Sequence, residues 1–211
     1  MRRLPTVFFL MVVAGCKAKE SGAPAQTQLD TLATTARPAD TVAPAKASES
    51  AVAPEVNPPG DIPDTQAFVK YSSQAGGYAL DVPEGWARTE NGTDVNFVNK
   101  YDGVKVTVTP AAAVPTTASV RATEAKQIQS QGHAVTITSV SEVNPPAGKG
   151  VVVKYTSNSD SNAVTNKVVR LENESYIYFH NGKEAALTMW APQGADNADQ
   201  WNRMSKSFRW R

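Results

Sequence analysis

From residue 104 apolar and polar positions alternate: Val104, Val106 and Val108 interleave with Lys105, Thr107 and Thr109. A period of two is that of a strand with one buried face. The pattern returns at Val151, Val153 and Tyr155, at Val169 and Leu171, in Tyr176-Ile177-Tyr178-Phe179, and from Ala185 to Trp190. Asp102-Gly103 and Asn181-Gly182 separate such runs. Asx-Gly pairs take the positive φ angles of two-residue hairpins, so they predict antiparallel pairing of 94–101 with 104–109 and of 175–180 with 183–191. Glu172-Asn173 is expected to turn the preceding pair of strands. Asn158-Ser159-Asp160-Ser161-Asn162 reads as a long polar hairpin loop; it has one carboxylate and lacks the glycine and closing glutamate of a calcium loop.

Two segments change to helical spacing. Thr116 or Thr117, after Pro115, caps a helix ending near Gln131, with Gly132 as its stop. Its apolar stripe (Ala118, Val120, Ala125, Ile128) is thin, which predicts a helix lying half exposed on a sheet. A second helix begins at Asp196, with Asp199 in its first turn, where a negative charge complements the helix dipole. Ala198, Trp201, Met204 and Phe208 form its apolar face. Together these elements predict an α+β domain, a central antiparallel sheet flanked by helices.

The first part of the chain has neither period. Val7 to Val13 is a continuous apolar run behind Met1-Arg2-Arg3. It is far shorter than the ~20 residues of a membrane-spanning helix, but it suits the core of a signal peptide. Residues 1–15 are read as that signal. They run into Val13-Ala14-Gly15-Cys16, which resembles the lipobox of bacterial lipoproteins. The resemblance implies cleavage after Gly15 and a diacylglyceryl thioether on Cys16. It also implies a further acyl chain, such as palmitate, on the new amino terminus. One chain anchors a protein only marginally, whereas two or more hold it lastingly.

Residues 17–64 contain eleven Ala and seven Pro and no aromatic residue. Such a composition cannot bury enough apolar surface to offset chain entropy, so 16–64 is expected to be a disordered tether. A flexible coil of that length spans about 35–40 Å. Residues 65–211 hold fourteen of the sixteen aromatic residues and predict one domain with its own core.

Within that domain Gly77-Tyr78-Ala79-Leu80-Asp81-Val82-Pro83-Glu84-Gly85-Trp86 resembles the opening strand of PsbP-like domains. The segment Ala198-Asp199-Gln200-Trp201-Asn202-Arg203-Met204-Ser205-Lys206-Ser207-Phe208 resembles their closing helix. The resemblance covers about 67–211 and implies an α/β/α sandwich around a central antiparallel sheet. It implies a scaffold rather than a chemistry.

Charge and composition narrow function mainly by exclusion. The whole chain has 21 basic and 20 acidic residues, and 65–211 has 15 and 13, no electrostatic footprint for nucleic acid. Lys206, Arg209 and Arg211 beside Phe208 and Trp210 read as Phe208 or Trp210 in the core with the charges outside. A single cysteine excludes an intramolecular disulfide and a Cys-rich zinc site. His133 and His180 lie 47 residues apart, without metal-ligand spacing, and are expected to be solvated. Asp81 and Glu84 read as outward residues, and Gly148-Lys149-Gly150 as a turn, because it precedes a strand and not a helix. Asn91-Gly92-Thr93 and Asn173-Glu174-Ser175 match a glycosylation sequon for which a bacterial lipoprotein has no use. No catalytic residue, metal or cofactor is expected.

Trp86, Trp190, Trp201 and Trp210 are expected mostly as core anchors, with Trp86, after Gly85, at the rim of a candidate cleft. The expected protein is a non-enzymatic binding or assembly module, anchored to the membrane through Cys16 and partnered by another envelope protein. Lys17 after the cysteine points to the periplasmic face of the outer membrane in a cell with two membranes. The alternative is a small-ligand carrier or an enzyme using the cleft near Trp86.

Overall fold

The strand periodicity builds two antiparallel sheets in the computed structural model, which describes residues 49–211. The expected signal peptide, with Val13, Ala14, Gly15 and Cys16, and the tether up to residue 48 lie outside the described residues. In chain order the elements are β1 (Phe68–Ser73), β2 (Tyr78–Pro83), β3 (Ala87–Asn91), β4 (Asp94–Asn99), β5 (Asp102–Pro110), α1 (Thr117–Ala122) and α2 (Glu124–Gln131). There follow β6 (His133–Val143), β7 (Gly150–Asn158), β8 (Arg170–His180), β9 (Lys183–Pro192), α3 (Ala198–Ser207) and β10 (Arg209–Trp210). Seven strands form a sheet in the order β3-β4-β5-β9-β8-β7-β6, and three form a second, β1-β2-β10.

Register sorts the large sheet into two faces. Phe97, Val104 and Met189 align in one row, and Val95, Val106, Leu187 and Tyr176 in the next. This face meets Tyr71, Tyr78, Leu80 and Val82 of the small sheet and Trp201, Met204 and Phe208 of the closing segment, forming the main core. Phe208 stacks between Tyr178 and Tyr78, at 4.8 and 5.5 Å between ring centroids. The Tyr178 hydroxyl donates to the Ser205 carbonyl at 3.2 Å. Burial holds both tyrosine hydroxyls well above their ordinary pKa.

On the opposite face Val120 and Ala125 of the helices pack against Val140, Val151, Val153 and Ile177. The helices cover the β6-β7-β8 end of the sheet and reach β9 at Ala186; beyond it the same face carries Lys105, Thr107, Thr188, Trp190, Asn173 and Ser175. The expected sandwich with helices on both flanks is corrected accordingly. One flank is the three-stranded sheet with α3, and the other is helical over part of its area.

Several local expectations shift. The helix expected up to Gln131 is two helices, broken at Thr123 (φ −119°, ψ −82°), whose hydroxyl bonds back to the Ser119 carbonyl at 2.9 Å. Thr116 does cap the first, reciprocally with Ser119, and Gly132 ends the second. The last helix starts at Ala198 and not Asp196, with Asn197 at the N-cap. The Asn197 side chain is used elsewhere: it accepts from the Ile62 amide at 2.6 Å and donates to the Gly60 carbonyl at 2.9 Å.

Asn181-Gly182 forms the expected turn, both residues at positive φ (47° and 75°). Asp102-Gly103 does not. Asn99 pairs with Asp102, so the turn is Lys100-Tyr101, with Lys100 at φ 55°. Glu172-Asn173 lies inside β8, and Asn91-Gly92-Thr93 leads from β3 into β4.

The tether boundary at residue 64 is also corrected. Residues 49–64 form no helix or strand, yet Ile62 is 4 % exposed within the main core. Asn197, Asn158 and Gln200 hold this segment by hydrogen bonds, and Lys167 pairs with Glu55. Its backbone groups are satisfied by side chains of the domain, which composition alone does not reveal. Among the described residues no helix is long and apolar enough to cross a membrane.

Candidate functional site

The part of the sheet left uncovered by helices forms the floor of a cleft. Register aligns Gly103, Trp190, Asn173 and Tyr155 in one row across four strands. The next row is Lys105, Thr188, Ser175 and Val153, and the third Thr107, Ala186, Ile177 and Val151. Helix α2 forms one wall with Glu124, Gln127, Ile128 and Gln131, and Asn158 with the loop at 159–162 forms another. The cleft measures about 810 Å³, within the roughly 300–1,000 Å³ range of small-ligand sites.

Its floor mixes polar with apolar side chains, and the buried polar ones are pre-ordered. Asn173 and Ser175 are 6 % and 2 % exposed. Buried polar groups are costly unless bonded, and here cross-strand neighbours bond them. The Ser175 and Thr188 hydroxyls are 2.9 Å apart, and the Asn173 amide donates to the Ser157 hydroxyl at 3.1 Å. The Trp190 indole lies over Gly103. Burial pushes the Tyr155 hydroxyl up to about 12. Burial, reinforced by the nearby Glu124 carboxylate, pushes Glu184 up to about 7, so its carboxyl can donate a hydrogen bond near neutrality.

The N-terminal segment meets the domain at the cleft rim. His133 Nδ1 lies 2.7 Å from Glu49 Oε2, and Nε2 lies 3.2 Å from Asp160 Oδ1. The Glu49 contact first, then Asp160, raises the His133 pKa above its ordinary value. Asn158 donates to Glu49 Oε1 at 2.8 Å and to the Ser50 carbonyl at 2.9 Å, and accepts from the Val52 amide at 3.1 Å. The buried Arg170 guanidinium holds Asn158 Oδ1 at 3.1 Å and the Ala134 carbonyl at 2.8 Å. His133 is thus the exposed half of a two-carboxylate clasp, not an isolated solvated histidine.

The structure separates the tryptophans. Trp86 packs half-buried against the main core and does not line this cleft. Trp201 is a core residue, and Trp210 stacks on His180 at 5.8 Å. Trp190 alone of the four lines the cleft. Asp81 takes part in structure: its amide donates to Ser207 Oγ at 2.8 Å and its carboxylate lies 3.7 Å from Arg203. Among the described residues no group of three or more His, Cys, Asp or Glu could hold a metal ion. Sequence reasoning missed Asn173, Ser175, Thr188 and Glu184. The available signal was weak: polar residues recur among the alternate positions of β8 and β9, but Ile177, Ala186 and Trp190 interrupt them.

No protein-family model matches the chain, and no curated protein matches it. Among solved structures, it is similar to cyanobacterial PsbP (CyanoP) from Synechocystis sp. PCC 6803, with a TM-score of 0.50 at 13 % identity. That match covers 72 % of this chain and 98 % of the other. A protein from Bacteroides thetaiotaomicron VPI-5482 matches at a TM-score of 0.45 and 12 % identity, over 67 % of this chain and 48 % of that one. At such identity the likeness is one of fold alone. The described domain has a PsbP-like fold, mostly antiparallel sheet with few helices.

Proposed function

We propose that this chain is a non-enzymatic binding module of a bacterial cell envelope, held by lipid at Cys16 and presenting the Trp190 cleft to a component near the same surface. The observation that carries the reading is the cleft itself: a concave floor in which bonded polar side chains lie in the same rows as the Trp190 and Tyr155 rings. The lipobox Val13-Ala14-Gly15-Cys16 and the Ala/Pro-rich segment after it supply the anchor and the reach. Anchoring confines the cleft to a thin layer and raises its effective concentration for anything fixed there. The Trp190 cleft does not include Trp86, so this reading does not draw on that residue.

The test is photo-crosslinking in cells, with the probe at exposed Gln127 on the cleft wall or at exposed Glu84 in the turn after β2. A specific envelope adduct from Gln127 and none from Glu84 is expected. Equal adducts from both, or none from either, would overturn the reading.

A further inference from the structure

The cleft floor also specifies a ligand class, an inference that rests on the cleft being the binding site. The cleft lies over β5, β9 and β8, in the middle of the sheet, where both ladders of each strand are already occupied. A peptide strand could therefore add no backbone hydrogen bonds here, since strand addition needs an open edge. The charges around the cleft are mixed. Lys100 and Lys105 face Glu124, Glu184 and Asp160, so neither an anionic nor a cationic ligand is favoured by net field. A wholly apolar chain would strip water from the part-exposed Thr107 and Thr188 hydroxyls and from exposed Lys105 without replacing their hydrogen bonds.

What remains is a neutral ligand rich in hydroxyls that also has a flat C–H surface. A pyranose ring has both. Its C–H face can lie on an indole, and its equatorial hydroxyls can both donate and accept at the ring edge. Trp190 offers the indole, backed by Gly103. The part-exposed Thr188 and Thr107 offer amphoteric hydroxyls in adjoining rows. We infer that the cleft takes a neutral glycan, with one pyranose ring stacked on Trp190 and its hydroxyls bonded by Thr107 and by Thr188, which buried Ser175 holds in place. The cleft volume of about 810 Å³ leaves room for more than one ring.

The experiment is calorimetry, with tryptophan fluorescence alongside, on the full chain in detergent. The probes are β-1,4-linked tetrasaccharides of N-acetylglucosamine and of glucose, a galacturonate tetrasaccharide, and tetra-alanine. Expected is a Kd below about 1 mM for at least one neutral tetrasaccharide. Trp190→Ala and the near-isosteric Thr188→Val should each weaken it about tenfold, while Trp190→Phe keeps most of it. Thermal unfolding of each variant separates lost binding from lost folding. Binding of only the acidic saccharide or the peptide, or saccharide binding that survives Trp190→Ala and Thr188→Val, overturns the inference. So does a panel with no binding at all. The Gln127 crosslink is an independent readout: an adduct there with no saccharide binding leaves the cleft as the site and removes only the glycan.

Discussion

The indole of Trp190 lies across Gly103 of the neighbouring strand, so closely that a Cβ on residue 103 would sit 1.9 Å from a ring carbon. Gly103 is inside a strand, and its glycine is needed by the ring above it rather than by a turn. Gly103→Ala must displace the indole, an overpacking that typically costs about 1–3 kcal/mol. The expected result is a lower unfolding midpoint with an altered tryptophan emission spectrum. An unchanged midpoint and spectrum would mean that the ring is not seated there.

Asp102, next to that glycine, is 5 % exposed, and its Oδ1 finds no hydrogen-bond partner among the described residues. Burial first, then the Asp61 carboxylate, pushes its pKa up to about 7. The folded value lies above the ordinary one, so the stability contributed by the protonated carboxyl is complete below about pH 4 and lost as pH rises through about 7. Asp102→Asn should therefore raise the unfolding midpoint at pH 8 and change it little at pH 4. For a domain of this size each kcal/mol moves the midpoint by roughly 2–4 °C. A larger gain at pH 4 than at pH 8 would refute the assignment.

The His133 clasp gives a second pH dependence in the N-terminal segment. Its raised pKa means that the clasp is fully formed below the ordinary histidine value and loosens as pH rises through the folded one. Glu49 and Asp160 face the ring, and Asn158 and Arg170 stand behind it and do not titrate in this range. Protease cleavage near residues 49–57 should be slow at pH 5.5 and faster at pH 8.5, and in His133→Ala equally fast at both. A pH-independent rate in the unmodified protein would sink the clasp.

Phe208 tests the main core. It has no exposed surface and stacks on two tyrosines. Phe208→Ala is expected to cost about 3–5 kcal/mol, visible as a large fall in the denaturant midpoint. Phe208→Leu should recover part of it.

Mass spectrometry of membrane-extracted protein checks the anchor. Loss of residues 1–15 with added acyl mass on Cys16 is expected, and Cys16→Ser should release the chain from membranes. An unmodified cysteine in the membrane fraction would refute lipidation.

The strands were legible where one face is apolar and the other polar, as at Val104, Val106 and Val108, and the Asn181-Gly182 turn followed from its backbone needs alone. Glu172-Asn173 was misread because a turn and a polar cleft floor draw on the same residues; only the partner strands distinguish them. Asp102-Gly103 failed for a related reason. Its glycine makes room for an indole 87 residues later in the chain, and no local signal records that. The cleft was illegible as a unit, since β5, β7, β8, β9 and α2 each contribute a few ordinary Thr, Ser, Asn and Gln residues. Only the register of the sheet brings them to one place.

The pairing of β10 with β2 joins residues 209–210 to 78–79, across about 130 intervening residues. Until that late segment is available, the small sheet lacks a strand and Tyr78 and Tyr178 lack the ring between them. Contacts so distant in sequence form slowly. The order in which a ribosome makes the chain thus postpones completion of the small sheet until residues 209–210 have been made.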